Sequence, residues 1–233
     1  MIAIITYDHP HRKTQDLIYK LILKGYKDLF LIVLPWVERT LHTPIYEHRP
    51  GNPEQVSIEV FCENLHLNYK RAEIKGVDEV LNEFKFEHIL IAGAGILPEG
   101  LVTHHEIINS HPGYLPNVRG LDALKWAIYN GQPIGVTTHY IDEKPDEGRL
   151  IEREIVPVYY EDTFHNVARR LYETEIEMLA NAIGIINKKR TIFESLKDRD
   201  YKVCKRMPNY IETQMMHRFE VIREKSLSHY EIN

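Results

Sequence analysis

The 233-residue sequence predicts an α/β fold: a mostly parallel sheet with one antiparallel strand, helices on both faces, and a short C-terminal appendage. Three observations predict it. The chain opens with a continuous apolar run, Ile2 to Thr6, then Leu17, Ile18, Leu21 and Ile22 at helical spacing, then a second apolar run, Leu29 to Leu34. Continuous runs suit strands buried on both faces, and a strand–helix–strand opening implies parallel pairing. Late in the chain, Ile134–Asp142 and Arg149–Val158 partly alternate apolar with polar residues around a six-residue turn, Glu143 to Gly148, which adds an antiparallel pair. The length fits one domain with an appendage.

The elements follow in order. Gly25 stops the first helix. From Pro35 to Pro53 runs a connection with four prolines and with Arg39, His42, His48 and Arg49, and connections of that length are usually functional. Val56, Val60 and Leu65 predict a short helix, and Val77, Val80, Leu81 and Phe84 another. His88 to Ala92 is a strand ending in Gly93-Ala94-Gly95, and Glu106 to Ser110 is the next. Arg119 to Asn130 reads as a helix with Leu121, Leu124, Ala127 and Ile128 on one face and Gly131 past its end. Phe164, Val167, Leu171, Met178, Leu179, Ala182, Ile183 and Ile186 mark a long helix. Asp162 or Thr163 caps its start, and Lys188, Lys189 and Arg190 favour its C-terminal end. Pro208 to Glu224 predicts one more helix.

With 43% hydrophobic and 27% charged residues, the chain is neither disordered nor coiled-coil. A formal net charge of −5 disfavours nucleic acid as a partner. Cys62 and Cys204 are far apart and outside any Cys-x-x-Cys, so neither a disulfide framework nor a cysteine zinc site organises the fold. The start, Met1 to Asp8, lacks a basic region before its apolar run, unlike a signal peptide. The longest apolar stretch, Leu29 to Val37, contains Pro35 and falls short of the ~20 residues of a membrane span. A cytoplasmic protein without membrane contact is expected.

The densest segment for chemistry runs from Asn109 to Gly120, between a strand and a helix, where ligand sites of parallel sheets lie. Asn109 and His111 are two apart, so in extended chain they project to the same side. A carboxamide beside an imidazole is a plausible oxyanion-stabilising pair for acyl transfer, and Asn-x-His also serves simply to satisfy turn hydrogen bonds. In the acidic turn Asp142 to Gly148, Asp146 is placed to orient His111, or else is one more solvated turn acid. Gly93-Ala94-Gly95 lacks the third glycine of a dinucleotide fingerprint, since Pro98 takes that place. The first βα turn, Asp8 to Thr14, has no glycine, although Arg12 and Lys13 stand near a helix start where anions bind. The 13 histidines include no His-x-x-x-His, so no metal is expected. No Gly-x-Ser-x-Gly elbow supports a serine hydrolase.

The run Ile108-Asn109-Ser110-His111-Pro112-Gly113-Tyr114-Leu115-Pro116, continuing to Arg119-Gly120, resembles the Asn-x-His-Pro-Ser-x-Leu-Pro-x-x-Arg/Lys-Gly motif of the tetrahydrofolate-dependent formyltransferases. Gly135 to Tyr140 and Pro145 to Ile151 resemble that family's Gly-x-Thr-x-His strand and Asp-x-Gly-x-Ile turn, in the same order and spacing. The resemblance is strong over residues 77–187 and looser over 1–76. It implies a Rossmann-like catalytic domain over residues 1–187 and an extension over 188–233. It implies 10-formyltetrahydrofolate as formyl donor, no metal, and Asn109, His111 and Asp146 as catalytic residues. It places the pterin slot at Ile96 and Leu97 and along the backbone of Ile141, Asp142, Glu143 and Lys144. Gly113 stands where the family commonly has Ser, a departure expected to affect loop detail only.

The substrate expectation follows by comparison within the family. The first βα turn lacks the glycine-rich phosphate loop of glycinamide-ribonucleotide formyltransferases, and the stretch after Asn187 is short for the C-terminal barrel of methionyl-tRNA formyltransferases. An amine on a nucleotide-linked amino sugar is the expected acceptor. The alternatives are a formyltetrahydrofolate hydrolase, a glycinamide-ribonucleotide-type enzyme, or a non-catalytic folate or nucleotide binder. Tyr201, Val203, Met207, Tyr210, Ile211, Met215, Met216 and Phe219 give the tail an apolar load that must be buried on its own domain or in a homodimer.

Overall fold

The computed structural model describes residues 1–37, 43–51, 56–188, 194–197 and 201–229. Arg39, His42, Pro53, Lys189 and Arg190 lie outside the described residues. The first half runs β1 (Ile2–Tyr7), α1 (Arg12–Leu23), β2 (Leu29–Leu34), α2 (Ile58–Leu65), β3 (Asn68–Arg71), α3 (Val77–Glu83), β4 (His88–Ile91), α4 (Glu99–His104) and β5 (Ile107–His111). The second runs β6 (Arg119–Gly120), α5 (Ala123–Asn130), β7 (Gly135–Tyr140), β8 (Arg149–Ile155), α6 (Phe164–Lys188), β9 (Val203–Cys204) and α7 (Asn209–Glu224).

Seven strands form one sheet in the order β3-β2-β1-β4-β5-β7-β8. The first five are parallel, and β7 is antiparallel to both β5 and β8. Alternation explains the apolar opening run. Ile2 and Ile4 pack into the layer of α1, α2 and α6, while Ala3 and Ile5 pack into the layer of α3 and α4. A third apolar cluster joins α5, α6 and α7 through Leu124, Ile128, Val167, Met207, Met215 and Phe219.

Differences from the sequence reading have local causes. The helix expected from Arg119 starts at Ala123, because Arg119 and Gly120 form β6 and Gly120 has φ +89, a left-handed conformation that suits glycine. Leu121 is therefore 46% exposed rather than core. Val60 also faces solvent, while Ile58, Phe61 and Cys62 carry the inward face of α2. Thr163, not Asp162, caps α6: its Oγ1 accepts from Asn166 N at 3.2 Å, while Asp162 pairs with Arg170. The edge strand β3 is polar except for the half-buried Tyr69, which blunts an exposed sheet edge and hides the strand from hydropathy.

The tail's apolar load is largely spent within the chain. Met207, Met215 and Phe219 have no exposed surface, although Tyr210 remains exposed.

Candidate active site

The site forms where β5 ends, between the last parallel strand and antiparallel β7. Asn109 faces His139 across the β5–β7 ladder, and His111 faces Thr137. The chain then folds back through Pro112 to Val118, pinned by Thr137: its Oγ1 accepts from Leu115 N at 2.9 Å and donates to the Gly113 carbonyl at 2.9 Å. The acidic turn after β7 brings Asp146 over the end of β5. Asp146 has φ +54, a left-handed conformation that Asp and Asn tolerate best among non-glycine residues.

His111 is nearly inaccessible. Its Nδ1 lies 3.3 Å from Asp146 Oδ1, and its Nε2 lies 3.1 Å from the Val118 carbonyl oxygen. The second Asp146 oxygen accepts from Gly120 N at 2.6 Å. Asp146 therefore links the imidazole to the backbone of β6. Asn109 lines the same cavity, and its carboxamide bonds to no other described side chain. The two histidines at this end differ in environment. Burial pushes His139 down to about 4, against the pull of Asp146, so it is neutral at pH 7. Two carbonyls, of Tyr140 and Glu147, accept from its Nδ1, and its buried Nε2 has no partner among the described residues.

A cavity of about 750 Å³ opens over these residues. One end is apolar, with Ile91, Ala94, Leu97, Val102 and Ile141. Lys13, Arg49, Lys205 and Arg206 also line it, beside Glu175 and Asp122; with Lys144, Asp142, Glu143 and Asp146 the lining holds equal numbers of basic and acidic side chains. Glu175 is fully buried. Its Oε1 lies 2.7 Å from Lys13 Nζ and its Oε2 accepts from Arg49 Nη1 at 2.5 Å. Burial alone would raise its carboxyl, but Arg49 and Lys13 outweigh that and hold it at about 2. His48 lies 3.8 Å from Asp122 but is not its ionic partner at pH 7, because burial, with Arg49 and Lys125 beside it, lowers the imidazole to about 4.

The residues that the resemblance assigns to the site all line this cavity: Asn109, His111 and Asp146, and Ile96, Leu97, Ile141, Asp142, Glu143 and Lys144; Arg12 does not. Ile96 is 79% exposed and forms a rim rather than a wall. Lys13 was noted only as a possible anion contact, and Glu175 went unnoticed inside the apolar stripe of α6. A carboxylate within such a stripe was the available signal. Among the described residues, no group of three or more His, Cys, Asp or Glu could hold a metal ion. No described helix is long and apolar enough to cross a membrane.

Residues 47–183 match the family model described as formyl transferase. The chain belongs to the formyl transferase family. Over 114 residues it is 36% identical to the trifunctional purine biosynthetic protein adenosine-3 of Gallus gallus, covering 47% of this chain and 11% of that one. It is 34% identical over 101 residues to the methionyl-tRNA formyltransferase of Alkaliphilus oremlandii, covering 42% and 33%. The chain thus spans a third or less of the curated relatives it matches here. Among solved structures, a sugar N-formyltransferase from Shewanella sp. shares the fold, with a TM-score of 0.59, 21% identity, and coverage of 98% of this chain and 89% of that one. In this family member the Asn109-Ser110-His111 run lies at the end of β5 and is joined through His111 and Asp146 to the turn after β7.

Proposed function

We propose that this formyltransferase moves a formyl group from 10-formyltetrahydrofolate to the primary amine of a nucleotide-linked amino sugar. The observation that carries the reading is a single cavity with an apolar end, a cluster of cationic side chains, and Asn109, His111 and Asp146 between them. The apolar end, flanked by the 141–144 backbone, fits a flat pterin offering hydrogen-bonding edges. The cluster of Lys13, Arg49, Lys205 and Arg206 offers cationic donors that fit a diphosphate-bearing acceptor. The Shewanella sp. protein, named a sugar N-formyltransferase, shares the fold over 98% of this chain, the tail included, and a sugar amine is in keeping with that.

The donor supplies an activated formyl carbon. The residues of this chain do the rest. The neutral amine attacks that carbon, forming a new C–N bond while the carbonyl π pair moves onto oxygen. Asn109 donates to this oxygen from its carboxamide. His111 donates from Nε2, the developing negative charge replacing the Val118 carbonyl as its partner. Asp146 holds His111 by Nδ1 and accepts the proton that the amine loses. As the oxygen's pair re-forms the carbonyl, the bond from the formyl carbon to the folate nitrogen breaks with its pair going to that nitrogen, which takes the proton from Asp146. Holding two reactants in one cavity lowers the barrier further, because the attack becomes effectively unimolecular.

The test is incubation with 10-formyltetrahydrofolate and a panel of TDP- and UDP-linked amino sugars, with glycinamide ribonucleotide included, following free tetrahydrofolate and product mass. Formylation of a sugar nucleotide is expected. Formylation of glycinamide ribonucleotide alone, release of formate without an acceptor, or saturable folate binding without turnover would each replace this reading with a different one.

A further inference from the structure

Glu212 sits on α7, fully buried, 37 positions beyond the last wall residue of α6, Glu175. Its Oε1 accepts from Lys125 Nζ of α5 at 2.8 Å. Its Oε2 accepts from two consecutive backbone amides, Ile45 N at 2.8 Å and Tyr46 N at 2.9 Å. On the same helix, Asn209 Nδ2 donates to the Thr43 carbonyl at 3.4 Å. Helix α7 therefore grips the 43–46 backbone directly. Two and three residues further on, His48 and Arg49 enter the cavity wall, where Arg49 meets Glu175.

A buried ion pair is a poor way to fasten two helices. Desolvating a carboxylate and an ammonium consumes most of their attraction, and apolar side chains of similar volume hold as well. The apolar contacts of Met215 and Phe219 already join α7 to this cluster. A carboxylate adds something an apolar side chain lacks, an acceptor that two adjacent amides can share while Lys125 balances its charge.

We propose that Glu212 is a positioning residue that sets acceptor specificity: it latches the 45–49 segment so that Arg49 and His48 stand in the cavity wall. This rests on the reading that the cationic cluster receives the acceptor. The latch acts on binding and not on the formyl centre, so its loss weakens acceptor binding without slowing the transfer step.

The test compares two double variants, both without the buried ion pair. In K125M/E212Q the glutamine carbonyl still accepts from Ile45 and Tyr46, and its amide nitrogen faces an apolar neighbour. In K125M/E212L the acceptor is gone. Expected in K125M/E212L, relative to K125M/E212Q, are faster hydrogen exchange at the Ile45 and Tyr46 amides and a rise of about tenfold or more in KM for the sugar nucleotide found by the panel above. Donor KM and kcat should stay within about twofold. Should K125M/E212L fail to fold, Tyr46→Pro removes one gripped amide while leaving Lys125 and Glu212 paired, and is read in the same way. Equal acceptor KM despite freed amides overturns the proposal, as does unchanged protection of both amides. If the wild-type protein formylates no acceptor, the substrate reading fails by itself, and the latch stands or falls on the two amides.

Discussion

Gly113 lies flush against the imidazole of His111: a Cβ there would sit 2.6 Å from Nε2 and 2.6 Å from the Val118 carbonyl oxygen that Nε2 contacts. The departure from the family's common Ser is thus more than a loop detail. In this chain the missing side chain makes room for the ring. Gly113→Ala is expected to push His111 off Asp146 and reduce turnover by about 10²-fold, the order of loss for an ångström of misplacement. Steady-state kinetics checks it, and the melting temperature should fall as well, because the Val118 backbone must also shift. Near-normal turnover would show that the ring adjusts freely.

Asp146→Asn separates charge from shape. Asn is at home in the left-handed conformation that Asp146 adopts, and its carbonyl oxygen still accepts from Gly120 N. The fold should survive and folate affinity should change little. Turnover should fall by at least ~10²-fold, as when one oxyanion donor is lost. Adding His111→Asn should cost little more, because groups acting as a unit are not additive. A fully active Asp146→Asn protein would leave Asp146 a turn residue only.

Acid should destabilise this protein earlier than its carboxylates alone would dictate. Burial lowers His11, His48 and His139 to about 4, with Lys13 and Arg49 adding to the effect on His11. Unfolded, each titrates near 6.5. Between those values the unfolded chain binds more protons than the folded one, so stability is full above about pH 6.5 and is lost as pH falls towards 4. The slope is at most about 1.4 kcal/mol per pH unit per histidine. Glu175, held at about 2, adds a further loss only below about pH 4.5. Urea unfolding between pH 7.5 and 4.5 measures this, and a flat profile would contradict it.

Glu175→Gln leaves Lys13 and Arg49 facing a buried neutral amide. Removing one partner of a buried pair costs about 3–5 kcal/mol, and the partial exposure of Arg49 reduces that figure here. Chemical denaturation should show a loss of that order. Replacing Arg49 by Met together with Glu175→Gln should recover part of it.

The parallel core and the antiparallel pair were legible because they rest on alternation and on runs such as Ile2 to Thr6, which depend on burial alone. The polar site was legible because Asn109, His111 and Asp146 lie in compact motifs. What escaped notice depends on contacts between distant segments. Nothing near Arg119 announces a partner at Val203, and a two-residue strand has no period to detect. Glu212 reads locally as an ordinary surface residue of an amphipathic helix, and only its packing against Lys125 and the Ile45 amide shows otherwise.

The pairing of β6 with β9 has a consequence for how the protein is made. Gly120 N, which holds Asp146, belongs to a strand whose neighbour, Val203–Cys204, is translated more than 80 residues later. A nascent chain that has released β1 through α6 from the ribosome owns the whole seven-stranded sheet, yet the backbone behind Asp146 still lacks its outer support. Domains generally fold as units, so the tail must be available before this one is complete. A chain stalled before β9 would hold all seven strands of the sheet while the Gly120 backbone behind Asp146, and the apolar cluster that Met207, Met215 and Phe219 complete, still lacked their partners.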